Sequence, residues 1–197
     1  MKHKIKEILI GTLLGDAHIR ATKSNTAYIT FEQSIIHKDY IQSLFEILND
    51  NELCLNEPKI SVRNDYRYKS ITKSVYFRTK AMSEFKLLAD MFLNEKGQKI
   101  VPHDIAEHLT ARSLAYWIMV DGQQVKRGGV TLCTDSYSSE EVKLLRNALN
   151  CVFNIDTTIH RKKGGLYERI YIGKAGLNKI KPEINPFIYE SNLLLHI

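Results

Sequence analysis

Asp16 and Asp121 stand at matching points of two similar apolar stretches, Leu9-Ile-Gly-Thr-Leu-Leu-Gly-Asp16 and Leu114-Ala-Tyr-Trp-Ile-Met-Val-Asp121. Each is followed by a small residue, Ala17 or Gly122. Apolar residues fill nearly every face of both stretches, which is the pattern of a buried helix and not of a surface helix with one apolar stripe. A carboxylate at the C-terminal end of such a helix meets the negative pole of the macrodipole. There it costs about a few tenths of a kcal/mol or more unless a cation lies beside it. Two acids so placed in one chain of 197 residues point to a shared cation site.

Elements that could carry such a pair recur in the same order behind each stretch. After Asp16, alternating segments 17–23 and 27–34, separated by Ser24-Asn25-Thr26, read as a β-hairpin. Tyr40, Ile41, Leu44, Phe45 and Leu48 have helical spacing over 38–49. A second strand pair follows at 59–64 and 74–79, and then a helix over 82–93. After Asp121, strands at 123–127 and 130–135 flank Gly128-Gly129, a dipeptide suited to the positive φ of a tight turn. Ser138 and Glu141 form a capping-box pattern, and Val142, Leu145, Leu149 and Val152 give the helix behind it a core stripe. A further hairpin turns at Gly164-Gly165 between 156–162 and 166–173, and a short helix over 174–180 stops before Pro182. Residues 94–110, with Lys96-Gly97 and Pro102 as breakers, contain the linker. The chain therefore reads as an α+β tandem duplication with halves at 1–98 and 111–197, a linker at 99–110, and motif helices that meet at a pseudo-twofold axis.

The strands sort their side chains by parity. His18, Arg20 and Thr22 lie opposite Ile19 and Ala21; Tyr28, Thr30 and Glu32 lie opposite Ile29 and Phe31. Ser61 and Arg63 oppose Ile60 and Val62, while Tyr76 and Arg78 oppose Val75 and Phe77. In the second half Thr158, His160 and Lys162 oppose Ile155 and Ile159, and Arg169 and Tyr171 oppose Ile170 and Ile172. Lys126, Arg127 and Thr131 join the polar set from the strands around Gly128-Gly129. Such groups neutralise phosphates and hydrogen-bond to base edges in a major groove, although a merely solvated sheet face has the same appearance. A net charge of +6 favours a polyanionic partner.

Cys54, Cys133 and Cys151 are odd in number and lack CxxC spacing, which argues against a disulfide framework or structural zinc and for a reducing intracellular setting. The N-terminal Met-Lys-His-Lys before an apolar run imitates a secretory leader, but Asp16 and the lack of a small-residue cleavage site oppose that reading. No run approaches the roughly 20 apolar residues that span a bilayer, so no membrane partner is expected.

The motif pair, its half-chain spacing, the hairpins that follow and the basic balance together resemble a single-chain LAGLIDADG homing endonuclease. The phrases Leu13-Leu-Gly-Asp-Ala17 and Ser113-Leu-Ala-Tyr-Trp-Ile-Met119 with Asp121-Gly122 are similar to the branch that includes the mitochondrial large-rRNA intron endonuclease. The resemblance runs over essentially the whole chain. It implies two αββαββα halves whose antiparallel sheets form a saddle in the DNA major groove, in a monomer with internal pseudo-twofold symmetry. It also implies that Asp16 and Asp121, helped by the backbone carbonyls of Gly15 and Val120, bind Mg2+ or Mn2+, an oxygen-only site that retains waters. The activity so implied is metal-dependent hydrolysis of one phosphodiester in each strand of double-stranded DNA. Lys99, in Lys99-Ile-Val-Pro102, matches the linker position of a basic residue near the scissile phosphate, and is equally at home as a solvated linker lysine. A mitochondrial or chloroplast location follows from the resemblance alone. Other roles on the same scaffold are a group I intron RNA maturase, with intron RNA as partner, and a catalytically silent DNA-binding protein. Three departures stand out: Val120 in place of a second acid, Gln123-Gln124 in place of a Gly-Lys type start, and Tyr189-Glu190 where a second catalytic lysine is expected.

Overall fold

The computed structural model describes residues 1–65 and 70–188. In chain order the helices are α1 (His3–Leu14), α2 (Lys38–Asn49), α3 (Ser83–Phe92), α4 (Ile105–His108), α5 (Ala111–Asp121), α6 (Ser139–Phe153) and α7 (Lys174–Ile184). The strands are β1 (His18–Ala21), β2 (Ala27–Ser34), β3 (Lys59–Asp65), β4 (Ser70–Arg78), β5 (Gly122–Gln124), β6 (Val130–Leu132), β7 (Thr157–Lys162) and β8 (Tyr167–Ile172). Apart from α4, the order helix, two strands, helix, two strands, helix occurs twice, as the α+β duplication requires. By its contacts the chain divides into Asp16–Lys99 and a second unit made of Met1–Gly15 with Ile100–Ile197.

In Asp16–Lys99 an antiparallel sheet has the order β1-β2-β4-β3. Thr30 lies between His18 and Arg78, and Glu32 faces Tyr76. Ala27, Ile29 and Phe31 of β2 are buried on one face, where α2 contributes Tyr40, Ile41, Leu44, Phe45 and Leu48 and α3 contributes Phe85, Leu88, Ala89 and Phe92. Phe31 stacks on Phe77 at 4.8 Å, and Phe45 meets Phe77 edge-on at 5.5 Å. Full burial of each such side chain stabilises by about 1.5–3 kcal/mol. The expected core side of β3 departs from this. Ile60 and Val62 keep their parity but are 65% and 57% exposed, because β3 is the edge strand while α2 packs on β2 and β4. β4 also starts at Ser70, earlier than expected, since its pairing with β3 runs out to Asp65.

The second unit has the corresponding sheet order, β5-β6-β8-β7. Here α1 and α5 pack side by side with Ile8, Leu9, Leu13, Leu14, Leu114, Trp117 and Ile118 wholly buried. Their close approach depends on glycine. A Cβ on Gly11 would lie 2.2 Å from the Ser113 carbonyl oxygen, and one on Gly15 would lie 2.2 Å from Val120 Cγ2. The start of α5 is fixed by a Thr110–Ser113 capping box and that of α6 by the expected Ser138–Glu141 box. A Glu141 carboxylate oxygen also accepts from the Val101 N–H at 2.9 Å.

Four expectations in this unit need correction. Val152 is exposed and Phe153 takes its place, since the stripe continues by a step of four from Leu149. α7 runs through Pro182 to Ile184: the missing N–H leaves a carbonyl on the exposed Asn178 side to solvent, while burial of Ile180 and Ile184 holds the last turn. β5 ends at Gln124, so Lys126 and Arg127 occupy the turn and not a strand, and β6 ends at Leu132. The turn itself has the positive φ expected of Gly128 and Gly129, +91° and +87°. Among the described residues no helix is long and apolar enough to cross a membrane.

Candidate functional site

α1 stops at Leu14, with Gly15 as its cap, so Asp16 follows the helix and does not end it. The Gly15 N–H donates to the Thr12 carbonyl at 3.1 Å, and the Tyr137 hydroxyl donates to the Leu14 carbonyl at 3.0 Å, so one of the last helix acceptors is satisfied by a side chain. Asp121 is the last residue of α5 and is half-buried; its carbonyl accepts from the Cys133 N–H at 3.0 Å. A Cβ on Gly15 would also stand 3.4 Å from the Asp121 carboxyl carbon, which places the end of α1 directly against that acid.

Within Asp16–Lys99, exposed Asp16 borders a cavity of about 420 Å3 together with His18, Glu32, Gln33, Arg63 and Lys73. Gln33 Nε2 donates to Asp16 Oδ2 at 2.8 Å, which orients one carboxylate oxygen and leaves the other for a ligand. Glu32 accepts from the Ser74 hydroxyl at 2.6 Å and pairs with Arg63 at 2.9 Å. Lys99 reaches the start of β1 through a bridge to Leu93, and its Nζ lies 3.5 Å from the Ala17 carbonyl. Burial, and then the Lys99 ammonium, pull the His18 imidazole below its ordinary value of 6.5. The Asp16 carboxylate, the Gln33 amide and the cations Arg63 and Lys73 thus line one opening, a set suited to an anionic ester beside a divalent cation.

The sheet register gathers the expected polar side chains of this unit. His18, Thr30 and Arg78 form one cross-strand row, Arg20 and Tyr28 another, and Glu32 and Tyr76 a third that Lys59 extends. Ser61 lies opposite Ser74 and Arg63 opposite Thr72. Arg78 lies over the Tyr28 ring at 4.9 Å. Thr22 turns instead to the loop, where its hydroxyl bonds those of Ser24 and Thr26 at 2.9 and 2.7 Å.

The other sheet matches its expected set less well. Thr158, His160 and Lys162 are exposed, and Lys126 and Arg127 stand exposed in the turn. Thr131, expected on the open face, is only 5% exposed, because it sits on a three-residue strand between its cross-strand neighbours Gln123 and Tyr171. His160 stacks on Tyr171 at 4.6 Å, and the Tyr171 hydroxyl donates to the Gly128 carbonyl at 2.9 Å. Arg169 makes a two-pronged pair with Asp135, with Nε donating at 2.6 Å, while Nη1 donates to Gln123 Oε1 at 3.0 Å. The Arg169 hydrogen bonds hold the Asp135 carboxyl below its ordinary value of 3.8.

Sequence reasoning missed Gln33, Lys59, Lys73, Asp135 and Gln123. Gln33 falls on the apolar parity of β2, so alternation assigns it inward, and only its bond to Asp16 reveals it. Lys59 shares the parity of Ser61 and Arg63 and was legible by the same rule. Tyr189 and Glu190 lie outside the described residues.

The LAGLIDADG DNA endonuclease family matches the chain over residues 6–180. Among curated proteins the chain is 31% identical over 192 residues to the probable intron-encoded endonuclease 1 of Wickerhamomyces canadensis, which covers 93% of this chain and 79% of that protein. It is 29% identical over 202 residues to the DNA endonuclease I-ChuI of Chlamydomonas applanata, over 94% of this chain and 90% of the relative. It is also 29% identical over 188 residues to the cytochrome b mRNA maturase bI2 of Debaryomyces hansenii, over 94% and 70%. Among solved structures it is similar to the homing endonuclease I-WcaI bound to its DNA recognition sequence, with a TM-score of 0.88, 28% identity, and coverage of 98% of this chain and 87% of that one.

Proposed function

Because the chain belongs to the LAGLIDADG DNA endonuclease family, we propose that it is a divalent-metal-dependent endonuclease that cuts both strands of double-stranded DNA at a long site, as in intron homing. The observation that carries this reading is the pair of motif acids. Asp16 lies just past α1 and Asp121 ends α5, and the two helices pack together through Gly11 and Gly15. Neither RNA binding nor silent DNA binding accounts for one acid at, and another just past, a dipole-disfavoured helix end.

Asp16 and Asp121, with the carbonyls of Gly15 and Val120, offer only oxygen donors. No cluster of three or more His, Cys, Asp or Glu side chains gathers into a metal cage among the described residues. A shell completed by waters and phosphate oxygens is what Mg2+ or Mn2+ accepts. When bound, the cation activates a water and stabilises the leaving 3′ oxygen. Gln33 holds the Asp16 carboxylate in one orientation, and Lys99 offsets negative charge that develops on the phosphate. The water oxygen bonds to phosphorus, the bond to the 3′ oxygen breaks, and the proton ends on that oxygen. Arg20, Arg63, Lys126, Arg127 and Lys162 contact the duplex, and Tyr28, Thr30, Glu32, Tyr76 and Arg78 read base edges. The protein acts as a monomer of halves 1–98 and 111–197 joined by 99–110, inside the organelle that holds its intron.

Similarity to an mRNA maturase favours a second role, binding of the host group I intron RNA. Incubation with a plasmid carrying the intronless host gene, with and without magnesium, tests the first reading. Linear product that appears only with magnesium supports it. Intact plasmid under both conditions, together with tight binding of the intron RNA, transfers the assignment to the maturase.

A further inference from the structure

On the Asp16 side, Gln33 donates to the motif acid and the Lys99 ammonium lies against the carbonyl of the next residue, Ala17. The corresponding place beside Asp121 is held by a different group. The Asp121 carbonyl is fixed by the Cys133 N–H, and two residues beyond each of these stand Gln123 and Asp135. Arg169 of β8 bridges those two side chains. It therefore sits on the polar face of the sheet next to the end of α5, where the hydrogen bonds to Asp135 above all, and Asp121 to a smaller degree, favour its ionised form. A guanidinium has five N–H donors. Two go to Asp135 and one to Gln123, so two remain on a plane that the carboxylate fork already orients.

We propose that Arg169, locked by Asp135 and Gln123, donates to the scissile phosphate on the Asp121 side and so supplies the cation for cleavage of that strand. Asp135 is then a positioning residue, since it touches the phosphate only through Arg169. Pairing also cancels the charge that Asp135 would otherwise add to that of Asp121 in front of an anionic substrate. An arginine suits the task because it stays charged at every working pH and presents its donors as a rigid fork, whereas the lysine of the other half is a mobile point charge.

The inference rests on the endonuclease reading. Its test is strand-resolved, single-turnover cleavage of a duplex labelled on both strands, with magnesium and saturating protein. Arg169→Gln is expected to slow one strand about 100-fold, the loss typical of removing a donor aimed at developing oxyanion charge, and to leave the other strand unchanged within about 3-fold. Affinity without metal should fall by no more than the few-fold that one phosphate contact supplies, far short of the loss in rate, and the variant should still unfold cooperatively. Arg169→Lys keeps the charge without the fork and should recover part of the loss, and Asp135→Asn should fall between Arg169→Gln and wild type on the same strand. Equal slowing of both strands, or loss only in step with affinity or stability, would make Arg169 a structural strut and overturn the proposal. Unchanged cleavage by Arg169→Gln would overturn it as well. A wild-type protein that cuts neither strand would instead sink the endonuclease reading beneath it.

Discussion

The crossing of α1 and α5 makes Gly11→Ala a severe change for a single methyl group. The added carbon would lie 2.2 Å from the Ser113 carbonyl oxygen and 2.8 Å from Tyr116 Cβ, where ordinary contact starts at 3.4 Å. The obstructing oxygen is backbone, so no rotamer relieves it and the helices must part by about 1 Å. Overpacking of this kind costs about 1–3 kcal/mol, and separation also loosens contacts among Ile8, Leu114 and Trp117. Alanine's higher helix preference returns about 1 kcal/mol, which with the loosened contacts leaves a net destabilisation of about 1–2 kcal/mol. Gly176→Ala in α7 is the control, since a Cβ there meets nothing nearer than 3.4 Å. It should be neutral or stabilise by up to about 1 kcal/mol. Urea denaturation of both variants reads the two energies directly. A Gly11→Ala protein as stable as Gly176→Ala would refute the close crossing. Because Gly15 caps the same helix one turn later, cleavage by Gly11→Ala should fall by more than its DNA affinity does.

Arg78→Ala should weaken binding by about 1–3 kcal/mol and relax preference at one position of the site, as measured over a panel of single-base variants; unchanged binding throughout would remove Arg78 from the interface. Tyr137→Phe deletes the donor to the Leu14 carbonyl and should cost about 1 kcal/mol in urea denaturation, and a midpoint equal to wild type would show that water replaces the bond without loss. At pH 8 a disulfide reagent should modify exposed Cys151 at once, whereas burial pushes the Cys54 thiol up to about 11 and keeps it inert until the protein unfolds. Rapid modification of Cys54 in the folded protein would contradict its burial.

Features set by local pattern were legible in the amino-acid order. The two motif stretches, the Ser138–Glu141 cap, the Gly128-Gly129 turn and the alternation of β2 all follow from side-chain period or backbone conformation within a few residues. What failed depends on neighbours distant in the chain. Ile60 and Val62 alternate correctly, yet an edge position beyond α2 leaves them exposed. Thr131 has the parity of an open residue but is covered from both sides of a short strand. Gln33 carries apolar parity and still reaches Asp16, and Asp135 becomes a partner of Arg169 only once β8 lies beside β6. Pro182 marks a stop by local rule, whereas burial of Ile184 carries α7 past it.

The central claim is that Asp16 and Asp121 perform metal-dependent cleavage and contribute little to affinity. Asp16→Asn and Asp121→Asn, each measured for plasmid cleavage with magnesium and for DNA affinity on the same preparation, test it most directly. Both variants should lose double-strand cleavage and bind DNA as tightly as wild type or more tightly, because affinity comes mainly from phosphate neutralisation and each change removes a negative charge. Full cleavage by both single variants would contradict the account.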